Sequence, residues 1–413
     1  MFLLYSALAR LVFSLLLLPE CLRRPRRIRR RWLREKLGAF PELRSSVWVH
    51  AVSVGEVNAA LPFLKKLRSL HPGLPIVLST VTDTGQKVAA ENAPEGTHVV
   101  YLPFDIPSVL ERAVRRIRPR AVIVIETEIW PNLFRTSARR GVPVFVLNGR
   151  ISERSARGYR RIAFFMRQVL AQATLFGMQS AADADRIRAC GAPEEKVRVT
   201  GNFKFDLDIS GEAAAWAEKI PGPVVVAGST HRGEEKLVLS AYQENLRHFP
   251  TLKLIIAPRH PERFAEAEEI LKASGLAYRK RTEIDGSSAS GLPAHCVILL
   301  DTVGELSALY RFADIAVIGK SLLGFGGQNP LEPAFWGKPI ICGPHMENFP
   351  FISDFLREGA AFEADGHTLA KKIKSLLIDP AKAAEAGRRA RELFLKNAGA
   401  VDRAVEIVRH ALN

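Results

Sequence analysis

The chain has 413 residues, of which 47% are hydrophobic, with 29 glycines and 25 prolines. This length and composition fit two folded α/β domains and exclude a disordered chain. The formal net charge is +16, a basic balance that raises the question of nucleic-acid binding. Half of the excess lies in residues 1–37, in a basic run directly after an apolar segment, which argues against a nucleic-acid partner.

Residues 1–19 are almost continuously apolar and lead into the basic stretch LRRPRRIRRRWLREK. A secretory signal carries its charges before the apolar core, and a small-residue cleavage site follows it, so the order of charges here argues against one. The pattern predicts a membrane-associated helix, with the basic run of residues 23–36 on anionic headgroups and the rest of the chain in the cytoplasm. The pattern fits either a helix that spans the membrane or a helix that lies in one leaflet. A buried core helix is the third alternative.

From residue 47 onwards, short apolar runs alternate with helical segments, which predicts parallel, doubly wound sheets. The periodicity lapses at about residues 205–223, where we expect the boundary between two halves. Strands of the first half are predicted at 47–52, 76–80, 98–102, 121–125, 143–148, 174–179 and 197–202. Strands of the second half are predicted at 224–229, 252–258, 297–301, 315–319 and 339–342.

Carboxylates follow two predicted strands of the first half. Glu56 closes the motif SVGE after the first strand, and Glu126 and Glu128 follow the fourth in IETEIWPN. Charged groups directly after an apolar strand are costly unless they serve a site or a paired network. A capping box of Ser53 with Glu56 is the structural alternative for the first of them.

In the second half a glycine-rich turn, GFGGQ, follows the strand at 315–319. Glycines there would let a ligand approach the backbone closely. Asn329 suits an N-cap and Pro330 the first helical position, so a helix start that favours an anion is predicted. Glu332 either accepts hydrogen bonds from sugar hydroxyls or forms a capping box with Asn329.

Five motifs occur in order along the chain: HAVSVGE, ETEIWPN, GNFKFD, APRHPER and GGQNPLEPAFWGKPIICGP. Together they resemble the 3-deoxy-D-manno-octulosonic acid (Kdo) transferases of lipopolysaccharide synthesis, a family of GT-B glycosyltransferases. The resemblance implies an α/β fold of two Rossmann-like doubly wound domains facing a central cleft, with an N-terminal membrane helix. The expected divisions are an anchor at 1–37, an acceptor domain at 38–210, a donor domain at 211–390 and a helix at 391–413 that crosses back to the first domain.

The resemblance also implies the reaction, which is inverting transfer of Kdo from CMP-Kdo to a lipid A precursor (lipid IVA). It places the enzyme on the cytoplasmic side of the bacterial inner membrane, attached through residues 1–19 to an anionic surface. No cofactor, metal or nucleic acid is expected. Four scattered cysteines without a CxxC pair indicate a reducing compartment and no zinc site.

Residue roles carry over by the matching motifs. The resemblance makes Glu56 the general base and makes Glu126 and Lys204 transition-state stabilisers. Glu128, two residues after Glu126, is a further candidate that would orient its neighbours. It also implies a CMP site formed by Pro258, Arg259, Val303, Gly304, Glu305, Asn329, Pro330, Leu331 and Glu332. Thr302 with Glu305 is a possible capping box at that site.

Two positions depart from the family pattern. Gln328 stands where the family often has histidine, and glutamine can donate a hydrogen bond but cannot become cationic. Lys320 stands where glycine is usual, and it either adds positive charge beside the phosphate or is solvated. Other GT-B enzymes, such as a uridine-donor transferase or a sugar-nucleotide epimerase, are the nearest alternative, and a basic membrane-tethered binding module is a more distant one.

Overall fold

Two units make up the chain, Met1–Asp206 with Asn397–Asn413 and Leu207–Lys396. Each unit is built on a seven-stranded sheet whose described strand pairs are all parallel. The predicted α/β class is therefore confirmed. The computed structural model describes residues 1–207, 209, 212–284, 291–324 and 326–412.

The first unit contains seven strands and ten α-helices among its described residues. Its strands are β1 (Ser46–His50), β2 (Ile76–Thr80), β3 (His98–Tyr101), β4 (Pro119–Ile125), β5 (Val144–Gly149), β6 (Leu175–Met178) and β7 (Val197–Val199). Its helices are α1 (Phe2–Arg23), α2 (Arg26–Lys36), α3 (Val54–Leu70), α4 (Asp83–Asn92), α5 (Pro107–Ile117), α6 (Pro131–Arg139), α7 (Glu153–Arg161), α8 (Ala163–Leu170), α9 (Ala181–Ala189) and α17 (Ala400–Leu412). Short 3-10 helices occupy Glu194–Lys196 and Phe203–Phe205.

The first sheet is ordered β3-β2-β1-β4-β5-β6-β7, so the winding direction reverses between β1 and β4. Every residue of β1 is buried, because neighbouring side chains of a strand point to opposite faces and both faces are covered. Trp48 packs on one face with Leu133, and Val49 packs on the other with Leu64. Ligands of doubly wound sheets bind at such a reversal, beyond the carboxyl ends of the strands.

The C-terminal helix α17 belongs to the first unit. Val401 and Val408 lie in the same hydrophobic cluster as Leu64 of α3. The Asp206 carboxylate accepts hydrogen bonds from the backbone N–H groups of Gly399 and Val401, at 2.5 and 2.6 Å. This carboxylate therefore satisfies donors that would be unpaired at the start of the helix.

One side of α1 is attached to the first unit by buried polar contacts. The Tyr5 hydroxyl donates to the Asp105 carboxylate at 2.9 Å, and the Ser6 hydroxyl donates to Asn132 Oδ1 at 2.9 Å. By length and composition, α1 is also the helix of the described chain that could cross a membrane. The exposed leucines of α1 are Leu3, Leu4, Leu8, Leu11, Leu15, Leu16, Leu18 and Leu22.

The basic run after α1 is only partly exposed, which corrects the expectation that all of it rests on headgroups. The Arg24 guanidinium stacks 4.3 Å from the ring centre of buried Trp32 and pairs with Asp83 at 3.2 Å. Burial, with Arg24 nearby, lowers the pKa of Lys36 to about 8. The arginines that α2 does expose are Arg26, Arg27, Arg30, Arg31 and Arg34.

The second unit has the same design. Its strands are β8 (Val224–Thr230), β9 (Lys253–Pro258), β10 (Tyr278–Lys280), β11 (Val297–Leu299), β12 (Ile315–Ile318), β13 (Ile340–Cys342) and β14 (Ala361–Glu363). Its helices are α10 (Glu234–Leu246), α11 (Phe264–Ser274), α12 (Leu306–Leu309), α13 (Leu331–Phe335), α14 (Ile352–Arg357), α15 (Leu369–Ile378) and α16 (Pro380–Asn397), the last ending at the unit limit. Short 3-10 helices occupy Glu212–Lys219, Pro261–Arg263, Arg281–Glu283 and Tyr310–Phe312.

The second sheet is ordered β10-β11-β9-β8-β12-β13-β14, so its reversal lies between β8 and β12. The sequence did not predict β10 and β14, the two strands at its edges. Each is three residues long and only partly buried. Neither therefore contains an apolar run long enough to be recognised as a strand.

Candidate active site

Glu56 lies in the first turn of α3, directly beyond the carboxyl end of β1. Its carboxylate turns back and accepts a hydrogen bond from the backbone N–H of Val52. The N-cap residue Ser53 makes no side-chain capping bond. The complete capping box raised as an alternative is therefore absent at this helix start.

The environment of Glu56 makes its carboxylate a weaker acid than usual. Burial, with the nearby carboxylates of Glu128 and Glu126, raises the pKa of Glu56 to about 7, while hydrogen bonds from the Val52 and Ser53 backbone act in the opposite direction. Burial and the charge of Glu126 also raise the pKa of Glu128. A pKa near neutrality is what a general base requires.

Glu126 and Lys204 lie within electrostatic reach of each other. Burial raises the pKa of Glu126, and the positive charges of Lys204 and Arg150 oppose this rise. Burial lowers the pKa of Lys204, and the charge of Glu126 opposes that change. The structure therefore brings two of the sequence-predicted residues together and adds Arg150, which the sequence reasoning did not single out.

Asn148, at the end of β5, is a second residue that the sequence reasoning missed. It is fully buried, and its Oδ1 accepts a hydrogen bond from the backbone N–H of Phe203, next to Lys204, at 3.0 Å. Its buried Nδ2 has no partner among the described residues. The Asn–Gly pair at a strand end was the available signal, because asparagine tolerates the left-handed conformation.

Left-handed backbone marks four strand ends in the two units. Glu126, Asn148, Ser229 and Lys320 have φ values of 60°, 54°, 56° and 56°. The other described non-glycine residue with positive φ, Arg118, ends a helix. Such strained positions cluster at functional sites, so the backbone independently singles out the strand ends that carry the motifs.

His50 is the last residue of β1 and is fully buried. Burial lowers the pKa of His50 to about 3, so its ring is neutral. Nδ1 lies 2.9 Å from Ser79 Oγ, whereas buried Nε2 has no partner in the part of the chain that is described. Within the same described set, Thr127 Oγ1 and Trp130 Nε1 also lack partners. Three unsatisfied polar atoms therefore lie in the segments that end β1 and follow β4, as expected of a polar ligand site.

In the second unit one buried carboxylate binds the two loops at the point where the strand order reverses, between β8 and β12. Glu234, at the start of α10, is 1% exposed. It accepts hydrogen bonds from the backbone N–H groups of His231 at 2.9 Å, Lys320 at 2.6 Å and Leu322 at 2.9 Å. Because these donors follow β8 and β12, Glu234 fixes both loops at once.

Basic groups from three strand ends converge at this reversal. The Arg259 backbone N–H donates to the Thr230 carbonyl at 3.1 Å, which joins the ends of β9 and β8. The rings of His231 and His260 are 5.6 Å apart, centre to centre. Burial, with Lys320 and His260 nearby, lowers the pKa of His231. An anionic group is the ligand that such a set of side chains favours.

Glu332 lies beside this basic set, in the first turn of α13. Asn329 Oδ1 accepts a hydrogen bond from the Leu331 N–H at 3.1 Å, and Asn329 Nδ2 donates to Glu332 Oε1 at 3.3 Å. Burial raises the pKa of Glu332, against the effects of Asn329 and Arg259. The helix begins at Leu331, one residue later than predicted, and has five residues, so its dipole is a weaker source of anion binding than we expected.

Gly326 and Gly327 are needed by the packing of the protein itself, whether or not a ligand approaches them. Their φ values are 105° and 64°. A Cβ on Gly326 would lie 2.4 Å from Asn348 Nδ2, and a Cβ on Gly327 would lie 2.4 Å from Met346 Sδ. The Gly326 N–H also donates to the Glu347 carboxylate at 2.6 Å.

Glu305 is already engaged in a network of its own. Its carboxylate accepts hydrogen bonds from Trp216 Nε1 at 2.6 Å and Arg281 Nε at 2.8 Å. Thr302 Oγ1 has no hydrogen-bond partner among the described residues, so the capping box of Thr302 with Glu305 is not formed. Val303 is 78% exposed. A ligand at this segment would have to share the Glu305 carboxylate or contact its neighbours.

Solved structures share the two-unit fold. MurG from Acinetobacter baumannii is 13% identical with a TM-score of 0.57, over 90% of this chain and 100% of that one. UDP-GlcNAc 2-epimerase from Neisseria meningitidis is 12% identical with a TM-score of 0.55, over 89% and 99%. Two parallel doubly wound units place the chain in the GT-B class.

Sequence relatives narrow the class to a family. Residues 29–207 match the family model described as 3-deoxy-D-manno-octulosonic-acid transferase (kdotransferase). The 3-deoxy-D-manno-octulosonic acid transferase of Haemophilus influenzae is 33% identical over 88% of this chain and 86% of its own length. The Bordetella pertussis transferase is 35% identical over 88% and 87%. The chain belongs to the Kdo transferase family, whose members are glycosyltransferases.

Proposed function

We propose that this protein is an inverting glycosyltransferase that moves Kdo from CMP-Kdo to a lipid A precursor (lipid IVA). The observation that carries the proposal is Glu56, a carboxylate at the reversal of the first sheet with a pKa of about 7, in a chain of the Kdo transferase family. The proposed residues need neither a metal ion nor a cofactor for this reaction.

In the proposed step Glu56 accepts the proton of an acceptor hydroxyl. The oxygen of that hydroxyl forms a bond to the anomeric carbon of Kdo, and the bond from this carbon to the phosphate oxygen of CMP breaks on the opposite face. CMP leaves with the electron pair, and the configuration at the carbon is inverted. The raised pKa matters because a base acts best when its pKa is close to the operating pH.

Lys204 and Glu126 are proposed to stabilise the transition state. The Lys204 ammonium would neutralise the sugar carboxylate or the departing phosphate. Glu126 favours the charged form of Lys204, because its carboxylate opposes the effect of burial on the lysine pKa. Asn148 would support this arrangement through its hydrogen bond to the Phe203 N–H.

The nucleotide is proposed to bind at the reversal of the second sheet. The Arg259 guanidinium, with Lys320 nearby, suits the phosphate, since its planar donors match phosphate oxygens. Glu332, oriented by Asn329, would accept hydrogen bonds from the ribose hydroxyls. Further proposed contacts come from Pro258, Val303, Gly304, Glu305, Asn329, Pro330 and Leu331.

We place the enzyme on the cytoplasmic face of the bacterial inner membrane, with α1 lying in the interface. A span would pull Tyr5 and Ser6 away from Asp105 and Asn132 and leave buried groups unpaired, at a cost of about 1–3 kcal/mol for each. The exposed leucines of α1 and the exposed arginines of α2 suit acyl chains and anionic headgroups, respectively.

The test is to incubate the protein with CMP-Kdo and a tetra-acylated precursor and to weigh the product. We expect a mass increase of one Kdo unit for each sugar added. In parallel, CMP should raise the melting temperature more than UDP does, because a ligand that binds the folded state stabilises it. An unchanged acceptor mass, together with stabilisation by UDP alone, would favour a uridine-dependent enzyme instead.

A further inference from the structure

An apolar groove of about 350 Å³ lies in the first unit and has no role in the mechanism above. Helix α1 contributes Leu4 and Leu8 to one wall, and Ile129, Tyr159 and Ile162 contribute to the other. Leu4, Leu8 and Ile162 are 69%, 57% and 50% exposed. The groove is therefore accessible along the helix that we place at the membrane surface.

The groove adjoins the carboxylates proposed for catalysis. Ile129 directly follows Glu128 in the chain. The Tyr159 side chain lines the groove, and burial, with the charge of Glu128 nearby, raises the pKa of its hydroxyl. One end of the groove thus lies within electrostatic reach of the carboxylate that sits beside Glu56.

The helix that contributes Tyr159 to the groove is strongly basic. Helix α7, which supplies Tyr159, also carries Arg154, Arg157, Arg160 and Arg161, all of them exposed. Guanidinium groups bind phosphate oxygens, and an apolar groove binds hydrocarbon. The pair of features matches an amphiphile with anionic head groups and acyl chains.

We infer that the groove holds an acyl chain of the acceptor lipid, with the acceptor phosphates facing the arginines of α7. This inference rests on the proposed function and deepens it, because it names the part of the acceptor that the first unit recognises. The leucines of α1 then have two roles. Leu4 and Leu8 contact the acceptor, whereas those outside the groove contact the bilayer.

The chain offers matched pairs of variants for the test. Leu8→Gln alters the groove, and Leu11→Gln alters a residue of the same helix that is 58% exposed and outside the groove lining. Ile162→Gln and its neighbour Phe164→Gln, 71% exposed and outside the lining, form a second pair. For each protein in detergent micelles, KM is measured with the tetra-acylated acceptor and with the same acceptor after removal of its ester-linked chains.

We expect Leu8→Gln and Ile162→Gln to raise KM for the acylated acceptor by roughly fivefold, because each weakens an apolar contact. KM for the partly deacylated acceptor should change less, and Leu11→Gln and Phe164→Gln should match the wild type with both acceptors. Equal effects within each pair would overturn the inference while leaving the proposed function intact. A wild-type protein that transfers Kdo to neither acceptor would overturn both.

A bilayer lipid is the competing occupant, and vesicle flotation separates the two. If a phospholipid chain filled the groove, Leu8→Gln would lower partition into phosphatidylglycerol-containing vesicles more than Leu11→Gln does, with no change in the KM ratio of the two acceptors. That result would contradict the inference. Equal partition of the two variants, with an altered KM ratio for Leu8→Gln alone, would support it.

Discussion

We propose that Glu128 influences the chemistry through the effect of its charge on Glu56. Its carboxylate is one of two that raise the pKa of Glu56, after the larger effect of burial. Glu56 must be ionised to accept a proton, so activity should fall as the pH drops through about 7. The acid side of the pH–rate profile therefore reports the environment of Glu56.

We expect Glu128→Gln to shift the acid side of the kcat/KM profile to lower pH, because removing a like charge lowers the pKa of Glu56. The profile of the variant, measured from pH 5 to 9, checks this. An acid side that stays in place, or that moves to higher pH, would contradict the proposed influence of Glu128. Glu153→Gln, at the exposed start of α7, serves as the control.

Glu332 is the residue that we propose to accept hydrogen bonds from the ribose of the nucleotide. We expect Glu332→Ala to weaken CMP binding by about tenfold or more, because a hydrogen bond to a charged group contributes about 1.5–3 kcal/mol. Calorimetric titration with CMP measures the change, and Glu363→Ala, an exposed glutamate at the end of β14, is the control. Unaltered affinity would remove Glu332 from the ribose site.

For single residues, the sequence predicted which side chains belong to the candidate site better than it predicted their contacts. Glu56, Glu126, Lys204 and Glu332 were chosen from motifs, and the structure places each at or just beyond the carboxyl ends of the strands. Asn148 was missed because its role depends on a left-handed backbone and on a donor 55 positions away. The Asn–Gly pair indicates the left-handed backbone, but the contact with Phe203 leaves no local pattern in the sequence.

Among the elements, the loops after β8 and β12 depend on a single side chain of α10. Three backbone N–H groups share the Glu234 carboxylate. The amide of Gln offers one acceptor oxygen and an NH2 group that would face donors. Glu234→Gln should therefore destabilise the second unit by about 2 kcal/mol and weaken CMP binding.

Urea unfolding followed by the circular dichroism of the full chain tests the prediction for Glu234. Glu244→Gln, on the exposed side of the same helix, controls for the loss of a charge. Equal midpoints for the two variants would show that the Glu234 carboxylate does not hold these loops. A lower midpoint for Glu234→Gln alone is the expected outcome.

Helix α1 gives a second prediction at the scale of elements. If it lies in the interface, a cysteine at Leu3 stays on the cytoplasmic side. In intact spheroplasts a membrane-impermeant maleimide should then label Leu3→Cys no more than the wild type, and labelling should rise after permeabilisation. Labelling of the variant in intact spheroplasts would show that the helix spans the membrane.

Strands and helices were predicted from the sequence where they contain long apolar runs. Strands with long apolar runs, such as β4 and β9, were predicted from the sequence, but the short edge strands β10 and β14 were not. The sequence pattern also does not determine whether α1 spans the membrane or lies in its interface. Its apolar length fits both arrangements, and only the hydrogen bonds of Tyr5 and Ser6 favour one.

Over the whole molecule, the two units carry different parts of one proposed reaction. The first supplies carboxylates, a lysine and an apolar groove, and the second supplies the basic groups and Glu332. The predicted domain limits at residues 210 and 390 came from lapses in periodicity and from the resemblance. The units of the structure are Met1–Asp206 with Asn397–Asn413, and Leu207–Lys396. Asp206 itself caps the helix that follows Asn397.

The most direct measurement compares Glu56→Gln with the wild type in two assays on the same preparation. The substitution keeps an oxygen that can accept the Val52 N–H bond and removes only the basic carboxylate. We expect CMP affinity to be unchanged by calorimetry and Kdo transfer, followed by product mass, to fall by about 10²-fold or more. Transfer at a rate close to that of the wild type would contradict the assignment of Glu56 as the base and the account built on it.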